Sequence, residues 1–401
     1  MAPLCRAGPR PPRSAPTTGP RRSGSVTQSG TYRYVRRMSN RPAARARAAT
    51  VAVLALVVAG LAATPSSAQA PTTGASTLVT AGGPPVTAAT VRYVGNGTAR
   101  SCTPTALAKA VRSGGTVKFR CGPKKLTISL DRTLYTCNTT TCRHPWQDPK
   151  ARVVEAVVID GGGKVVLSGA GKRGIFYANT CEEELGWLDA HCNTQTTPHV
   201  TFKNIVLKNG NATKGPARFE SVGGGGGGGA IAMRGGRLTV QDSELRDNRC
   251  TKRHPDAGGG AIRVVGQRAT ARILRTTFER NRCANGGAIS SLQAPLLVRD
   301  STLLENTATG SGASSGQGGN GGAVYFDGTS QAVTIERTTI RRNEAPEGGP
   351  GVFYVSNDRT GTLTITGSTV TNNTGASFWT GSTRSIFFLG KAFVRTGSTI
   401  T

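Results

Sequence analysis

A repeat of about thirty residues runs through the second half of the chain, and it constrains the fold more than any other feature. Short strands open on Gly229-Ala230-Ile231, Gly260-Ala261-Ile262, Gly287-Ala288-Ile289, Gly322-Ala323-Val324 and Gly351-Val352-Phe353, at intervals of 31, 27, 35 and 29 residues. Each segment then passes through an alternating apolar run into Ser/Thr-x-apolar-x-x-Asn, closing on Asn248, Asn281, Asn306, Asn343 and Asn373. Weaker copies precede them at 157–169 and 200–210. A period near thirty, with several short strands per period and corner loops of variable length, is what a β-solenoid requires. A propeller needs longer strands and more aromatics per repeat, and aromatics are only 5% of the chain.

The strand alternation supplies the core. Leu238 and Val240, Leu296 and Val298, Val333 and Ile335, and Leu363 and Ile365 are expected to point inward together, with stacked coils about 4.8 Å apart. A recurrent asparagine at one corner can then bond its equivalents and the turn backbone, and it tolerates the left-handed conformation of tight corners. Cys250 and Cys283 each follow a ladder asparagine by two residues. In adjacent coils their Cα atoms would lie about 5 Å apart, within reach of a disulfide.

The GGAI strands and the Ser/Thr-x-Phe/Leu-x-x-Asn segments resemble the repeats of the polymorphic outer-membrane protein group, within the pectate-lyase-like superfamily, over roughly residues 151–375. The resemblance implies an all-β, right-handed parallel β-helix. The segment 102–122 is similar to the N-terminal cap of bacterial β-helix proteins, a short amphipathic helix with Leu107, Ala110 and Val111 on one face, bracketed by Cys102 and Cys121. This architecture hosts lyases, hydrolases and inert adhesins, so it implies no reaction. Members of the outer-membrane group carry a C-terminal barrel for which this sequence leaves no room, which argues against an outer-membrane role.

The first seventy residues read as processing signals. Residues 1–37 are an over-extended start or a long n-region, and 38–70 a signal peptide, with an apolar run from Ala48 to Ala63 and Ala68-Gln69-Ala70 as the small-x-small site. Arg36-Arg37 raises twin-arginine export, which the residues after it fit poorly. Residues 71–90 read as a flexible linker and 91–401 as the β-helix domain, its cap over about 91–125. The expected setting is extracellular, with no transmembrane anchor once the signal is removed. Eight cysteines follow the signal, and an even set in an exported chain reads as disulfides. Beyond Cys250–Cys283, proximity suggests Cys102–Cys121, Cys137–Cys142 and Cys181–Cys192; zinc at Cys137, Cys142 and His144 is the rival, without a second pair at metal-ligand spacing.

The formal charge is +29, and the eleven arginines of residues 1–70 leave +18 beyond them. An acidic partner fits this balance, as does a basic surface with no specific partner. On the strand before the Ser/Thr segment, Lys203, Arg272, Arg299 and Glu336 are expected to point outward, with Arg275 and Arg337 at the strand ends and Asp242 and Asp300 along the same edge. Stacked, these would form a mainly basic stripe suited to carboxylates or sulfates. A solvated face that prevents aggregation accounts for the same residues. Nucleic acid is not expected as a partner, since no aromatics interleave with the stripe to stack bases. Trp146 and Trp187 fall in cysteine-adjacent or cysteine-bracketed insertions (137–148 and 181–192) that could contact a sugar ring or equally cover the solenoid's side.

No residues in the sequence announce a catalytic site. The clustered aspartates and Gly-His-Gly element of polygalacturonase-like β-helices are missing. Val158-Ile159-Asp160 resembles part of a pectate-lyase strand, but Gly161 stands where that family has histidine, and three glycines make Asp160 read as a turn residue. The expected function is therefore a non-catalytic extracellular binding or structural role, with an acidic polysaccharide as the partner the charge admits and no cofactor. The alternative is a divergent polysaccharide lyase, which alone would call for calcium.

Overall fold

The computed structural model describes residues 89–136, 154–180, 195–213 and 226–401. They form a right-handed parallel β-helix with three faces, in which every pairing between named strands is parallel. The first face stacks strands from Val91–Val94 through Arg237–Gln241, Ala271–Leu274, Leu296–Arg299, Val333–Glu336 and Thr362–Thr366 to Ala392–Thr396. The second face is built of three-residue strands such as Glu244–Arg246, Thr277–Glu279 and Thr302–Leu304. The third is an eight-stranded sheet running from Leu134–Thr136 to Ile386–Leu389.

Alternation drives each face inward at every second residue. Leu238, Ala271, Leu296, Val333 and Leu363 form one inward column; Val240, Ile273, Val298, Ile335 and Ile365 form the next, and all are buried. The second face adds Leu245, Phe278, Leu303, Ile340 and Val370. The third contributes Ile231, Ile262, Ile289, Val324 and Val352, beside a stack in which the rings of Phe326 and Tyr354 lie 4.5 Å apart. Burying a Leu, Ile or Val side chain stabilises by about 1.5–3 kcal/mol, so these columns are the main support of a fold without a globular core.

The Ser/Thr-x-apolar-x-x-Asn motif turns out to be a pair of corners one short strand apart. At the second corner the asparagines stack: each side-chain amide donates to the next coil's Oδ1, Asn248 to Asn281 at 3.0 Å and then Asn281 to Asn306, Asn306 to Asn343 and Asn343 to Asn373 at 2.9 Å. Each also donates to a backbone carbonyl of the preceding coil, as Asn306 does to Phe278. At the first corner Thr276, Ser301, Thr338 and Ser368 form a parallel hydroxyl ladder, each backbone N–H donating to the hydroxyl of the coil above. The residue before each ladder member is left-handed: Asp242, Arg275, Asp300, Arg337 and Gly367 at one corner, Asp247, Arg280, Glu305, Arg342 and Asn372 at the other.

The Gly-Gly-Ala start of each third-face strand has a separate cause at each glycine. Gly259 has φ +75°, and a Cβ there would lie 2.0 Å from the Ile262 carbonyl oxygen; at Gly287 it would lie 2.2 Å from the Gly322 oxygen of the neighbouring coil. The register corrects one placement. Val324 pairs with Val352, so Pro350 occupies the second-glycine position and Gly351 stands where the other coils have alanine.

The amino-terminal end is closed by helix α1 (Pro104–Arg112), with Pro104 in its first turn and Thr103 accepting the Ala106 N–H at 3.1 Å. Leu107, Ala110 and Val111 are its buried residues. The Cys102–Cys121 disulfide brackets this cap, with a Cα–Cα distance of 5.7 Å, and Cys250–Cys283 joins adjacent coils at 4.7 Å. Cys137, Cys142, His144, Trp146, Cys181, Trp187 and Cys192 lie outside the described residues.

Candidate functional site

The expected basic stripe resolves into columns of alternating sign. Lys203 and Arg299 share a column, with Gln241 and Leu274 on the coils between them. Arg272 does not belong to it: it pairs with Thr239 and Leu297, two residues away along the strand. The remaining cations face carboxylates on a neighbouring coil. Lys203 meets Asp160 at 3.4 Å, Arg275 meets Asp242 at 2.6 Å, Arg299 meets Glu336 at 2.6 Å and Arg337 meets Asp300 at 2.7 Å. The second corner repeats the scheme with Arg280 on Asp247 and Arg342 on Glu305. The Arg275 and Arg337 guanidiniums, hydrogen-bonded to Asp242 and Asp300, hold those carboxyls below the usual aspartate value. Apart from Arg272, which is exposed and forms no ion pair among the described residues, the stripe is therefore a set of matched ion pairs. Exposed pairs contribute about 0–1 kcal/mol each, and they leave little net charge for a ligand.

Two concave places bring several cations together. In the long first-to-second-face strand Ala156–Ser168, the pairing with His199–Lys208 shifts between Asp160 and Val165, so Gly161 to Lys164 bulge outward. The bulge and the segment after Phe119 enclose a cavity of about 330 Å³ lined by Lys118, Lys124, Lys164 and Asp160. Asp160 is already engaged. Its Oδ1 accepts the Gly162 N–H at 3.1 Å and the Asn204 side chain at 3.0 Å, and Lys203 faces its Oδ2. These partners outweigh its partial burial and keep it ionised, with a lowered pKa. A carboxylate so occupied is a turn-holding group. All three lysines are exposed; Lys118 stands on the rung beside Asp160, whose ion pair is with Lys203, and Lys124 and Lys164 form no ion pair among the described residues.

The second place is a corner groove of about 320 Å³ beside the Cys250–Cys283 bridge, lined by Arg249, Lys252, Arg282, Asn211, Thr213 and Thr309. Sequence reading passed over it, although Asn-Arg-Cys occurs at both 248–250 and 281–283 and so sets both arginines in one register. A buried polar group was also missed. Arg263 is fully enclosed on the outer side of the third face; burial pushes its guanidinium down to about 10, and it donates to Ser290 Oγ at 3.3 Å. Nearby, burial raises the Asp327 carboxyl, which accepts from Tyr325 and Asn357.

Among the described residues no three His, Cys, Asp or Glu side chains gather as a metal-holding group, and none of the helices is long and apolar enough to cross a membrane.

A family model described as a right handed beta helix region matches residues 317–393, the coils carrying Asn343 and Asn373. Neither the curated proteins nor the solved structures gave a match to the chain.

Proposed function

We propose that this chain is exported and acts outside the cell as a non-catalytic β-helix that binds an acidic polysaccharide. The observation that carries this reading is the Lys118/Lys124/Lys164 cavity: three exposed cations around one concavity whose only carboxylate is matched by other groups. Ammonium groups on flexible stems suit carboxylates presented at irregular spacing along a polymer. Export is supported by the apolar run before Ala68-Gln69-Ala70 and by two disulfides, which persist in oxidising surroundings. The repeat resemblance supports placing the fold within the pectate-lyase-like superfamily, with the chemistry of its enzymes left out.

The test is binding of polygalacturonate to the oxidised protein by calorimetry, at low and at elevated salt. Exchanging Lys118, Lys124 and Lys164 together for Gln is expected to abolish most of the binding, and salt to weaken what the parent shows as the Debye length falls below about 10 Å. Exchanging Arg275 and Arg299 for Ser is expected to change binding little. Equal binding by the lysine variant and the parent would overturn the reading. Growth of unsaturated-uronate absorbance during incubation would replace it with the lyase alternative.

A further inference from the structure

Arg249 and Arg282 are bridge partners on adjacent coils, and both are exposed. Their juxtaposition breaks the rule the rest of the surface follows. At Asp242/Arg275, Asp247/Arg280, Asp300/Arg337, Glu305/Arg342 and Arg299/Glu336, stacked charges have opposite sign. Among the described residues, another like pair, Lys208 on Arg246, is offset by Glu244 and Asp247 beside it. The Arg249–Arg282 column instead has Asn211 below and Thr307 above, and its next acidic residue, Glu344, lies two rungs beyond Arg282, about 10 Å away. Like charges directly opposite one another on neighbouring strands are destabilising.

The surroundings fix the two backbone positions on adjacent rungs. The residues that follow, Cys250 and Cys283, are joined by the disulfide, and the Asn248 and Asn281 that precede are joined by the ladder. Arg249 is anchored through Nη2 to the Gly171 carbonyl at 3.1 Å. Lys252 enters the same groove from the next loop, where the Thr309 hydroxyl donates to its carbonyl at 2.8 Å. Three cations thus converge on one concavity, pinned on either side by covalent and hydrogen-bonded links.

We propose that this groove is a binding site for a tetrahedral oxoanion, a sulfate or phosphate group, seated between Arg249 and Arg282 with Lys252 at its rim. One carboxylate matches one arginine elsewhere on this surface. Three cations around a single groove match a group with more charge and three or more acceptor oxygens, to which guanidinium forks bond in pairs. The site is separate from the lysine cavity, and the proposal does not rest on polyuronate binding.

The test measures the thermal midpoint of the oxidised full chain in inorganic sulfate and in inorganic phosphate, against chloride at equal ionic strength, with dextran sulfate and polygalacturonate as polymer arms. A saturable rise specific to the oxoanion is expected for the parent, and for the variant with Lys118, Lys124 and Lys164 changed to Gln. Arg282→Gln and Arg249→Gln should each remove that rise. Arg282→Gln should also raise the midpoint in chloride, because a like charge on the neighbouring rung is removed. A rise with the free ions assigns the site to the ion itself; a rise with dextran sulfate alone assigns it to a sulfate ester on a polymer. Absence of any saturable rise, its persistence in both arginine variants, or an equal effect of polygalacturonate acting through Arg282 would overturn the proposal.

Discussion

Removing one rung of the asparagine ladder should cost an amount that depends on how many donors the rung satisfies. Asn306 Oδ1 accepts two buried donors from the coil below, the Asn281 backbone N–H at 3.0 Å and its side-chain amide at 2.9 Å. Asn306→Ala strands both in a site with no exposure. At about 1–3 kcal/mol for each buried unsatisfied group, and with some local relaxation, the expected loss is about 3–4 kcal/mol. Asn248 begins the ladder, and its Oδ1 accepts only the Gly210 N–H, at 2.8 Å. Asn248→Ala should therefore cost about half as much, about 1–2 kcal/mol, although the same atoms are deleted. Urea unfolding of the three oxidised proteins, followed by circular dichroism and by fluorescence, supplies the comparison. The two probes must give coincident transitions, because a solenoid can lose coils in stages. A cost at Asn248 equal to or above that at Asn306, or a loss at Asn306 under about 1 kcal/mol, would refute the donor-counting argument.

Two further outcomes follow from the corners. Asp242 and Asp300 have folded-state pKa values below their ordinary ones because Arg275 and Arg337 bond their carboxylates; the stability they contribute is present above the unfolded value, near 3.9, and is lost as pH falls through the folded values. Thermal midpoints should therefore drop below about pH 4, and exchanging both aspartates for Asn should flatten that part of the profile; an unchanged profile would show that these pairs contribute nothing. Arg337 holds φ +44° where the next coil has Gly367, so Arg337→Gly should relieve about 1 kcal/mol of left-handed strain and lose an ion pair worth no more than that. Its midpoint should stay within a few degrees of the parent, whereas Arg337→Val, stiff at Cβ, should lower it clearly; equal effects of the two would refute the strain argument.

Much of this fold was legible because a solenoid writes its geometry at short range. The period, the inward alternation and the paired cysteines each depend on residues within one coil or the next. Alternation alone does not set register along a strand. Arg272 and Arg299 both point outward on the strand before the Ser/Thr segment, yet the column lies seven residues before each ladder asparagine, at Gln241, Leu274, Arg299 and Glu336. Counting back from Asn281 reaches Leu274; Arg272 lies nine residues before it. Gly351 was matched to Gly322 by identity, while the hydrogen bonds from Ala323 and Val324 to the carbonyls of Pro350 and Gly351 set the true register one residue earlier. Arg263 was not legible at all. Its position alternates outward, and its burial comes from the Gly227 and Gly258 corners folding over it, as their approach to its side chain shows.

The charge pattern also says where affinity can reside. At both corners the left-handed positions hold charged side chains, and their signs alternate from coil to coil: Asp242, Arg275, Asp300, Arg337 at one, Asp247, Arg280, Glu305, Arg342 at the other. Equivalent residues in a solenoid stack about 4.8 Å apart, so a single-sign column would repel itself along the whole axis, and alternation converts that liability into weak cross-coil links. A surface matched in this way offers a polyanion no continuous track, however basic the chain is in sum. The proposed binding is then local, at two concave places where cations outnumber carboxylates: the bulge with Lys118, Lys124 and Lys164, where Asp160 is shared with Lys203, and the arginine pair beside Cys250–Cys283. The salt dependence of each interaction should accordingly reflect about three charges rather than the net charge of the protein, which separates a sited ligand from nonspecific attraction to a basic surface.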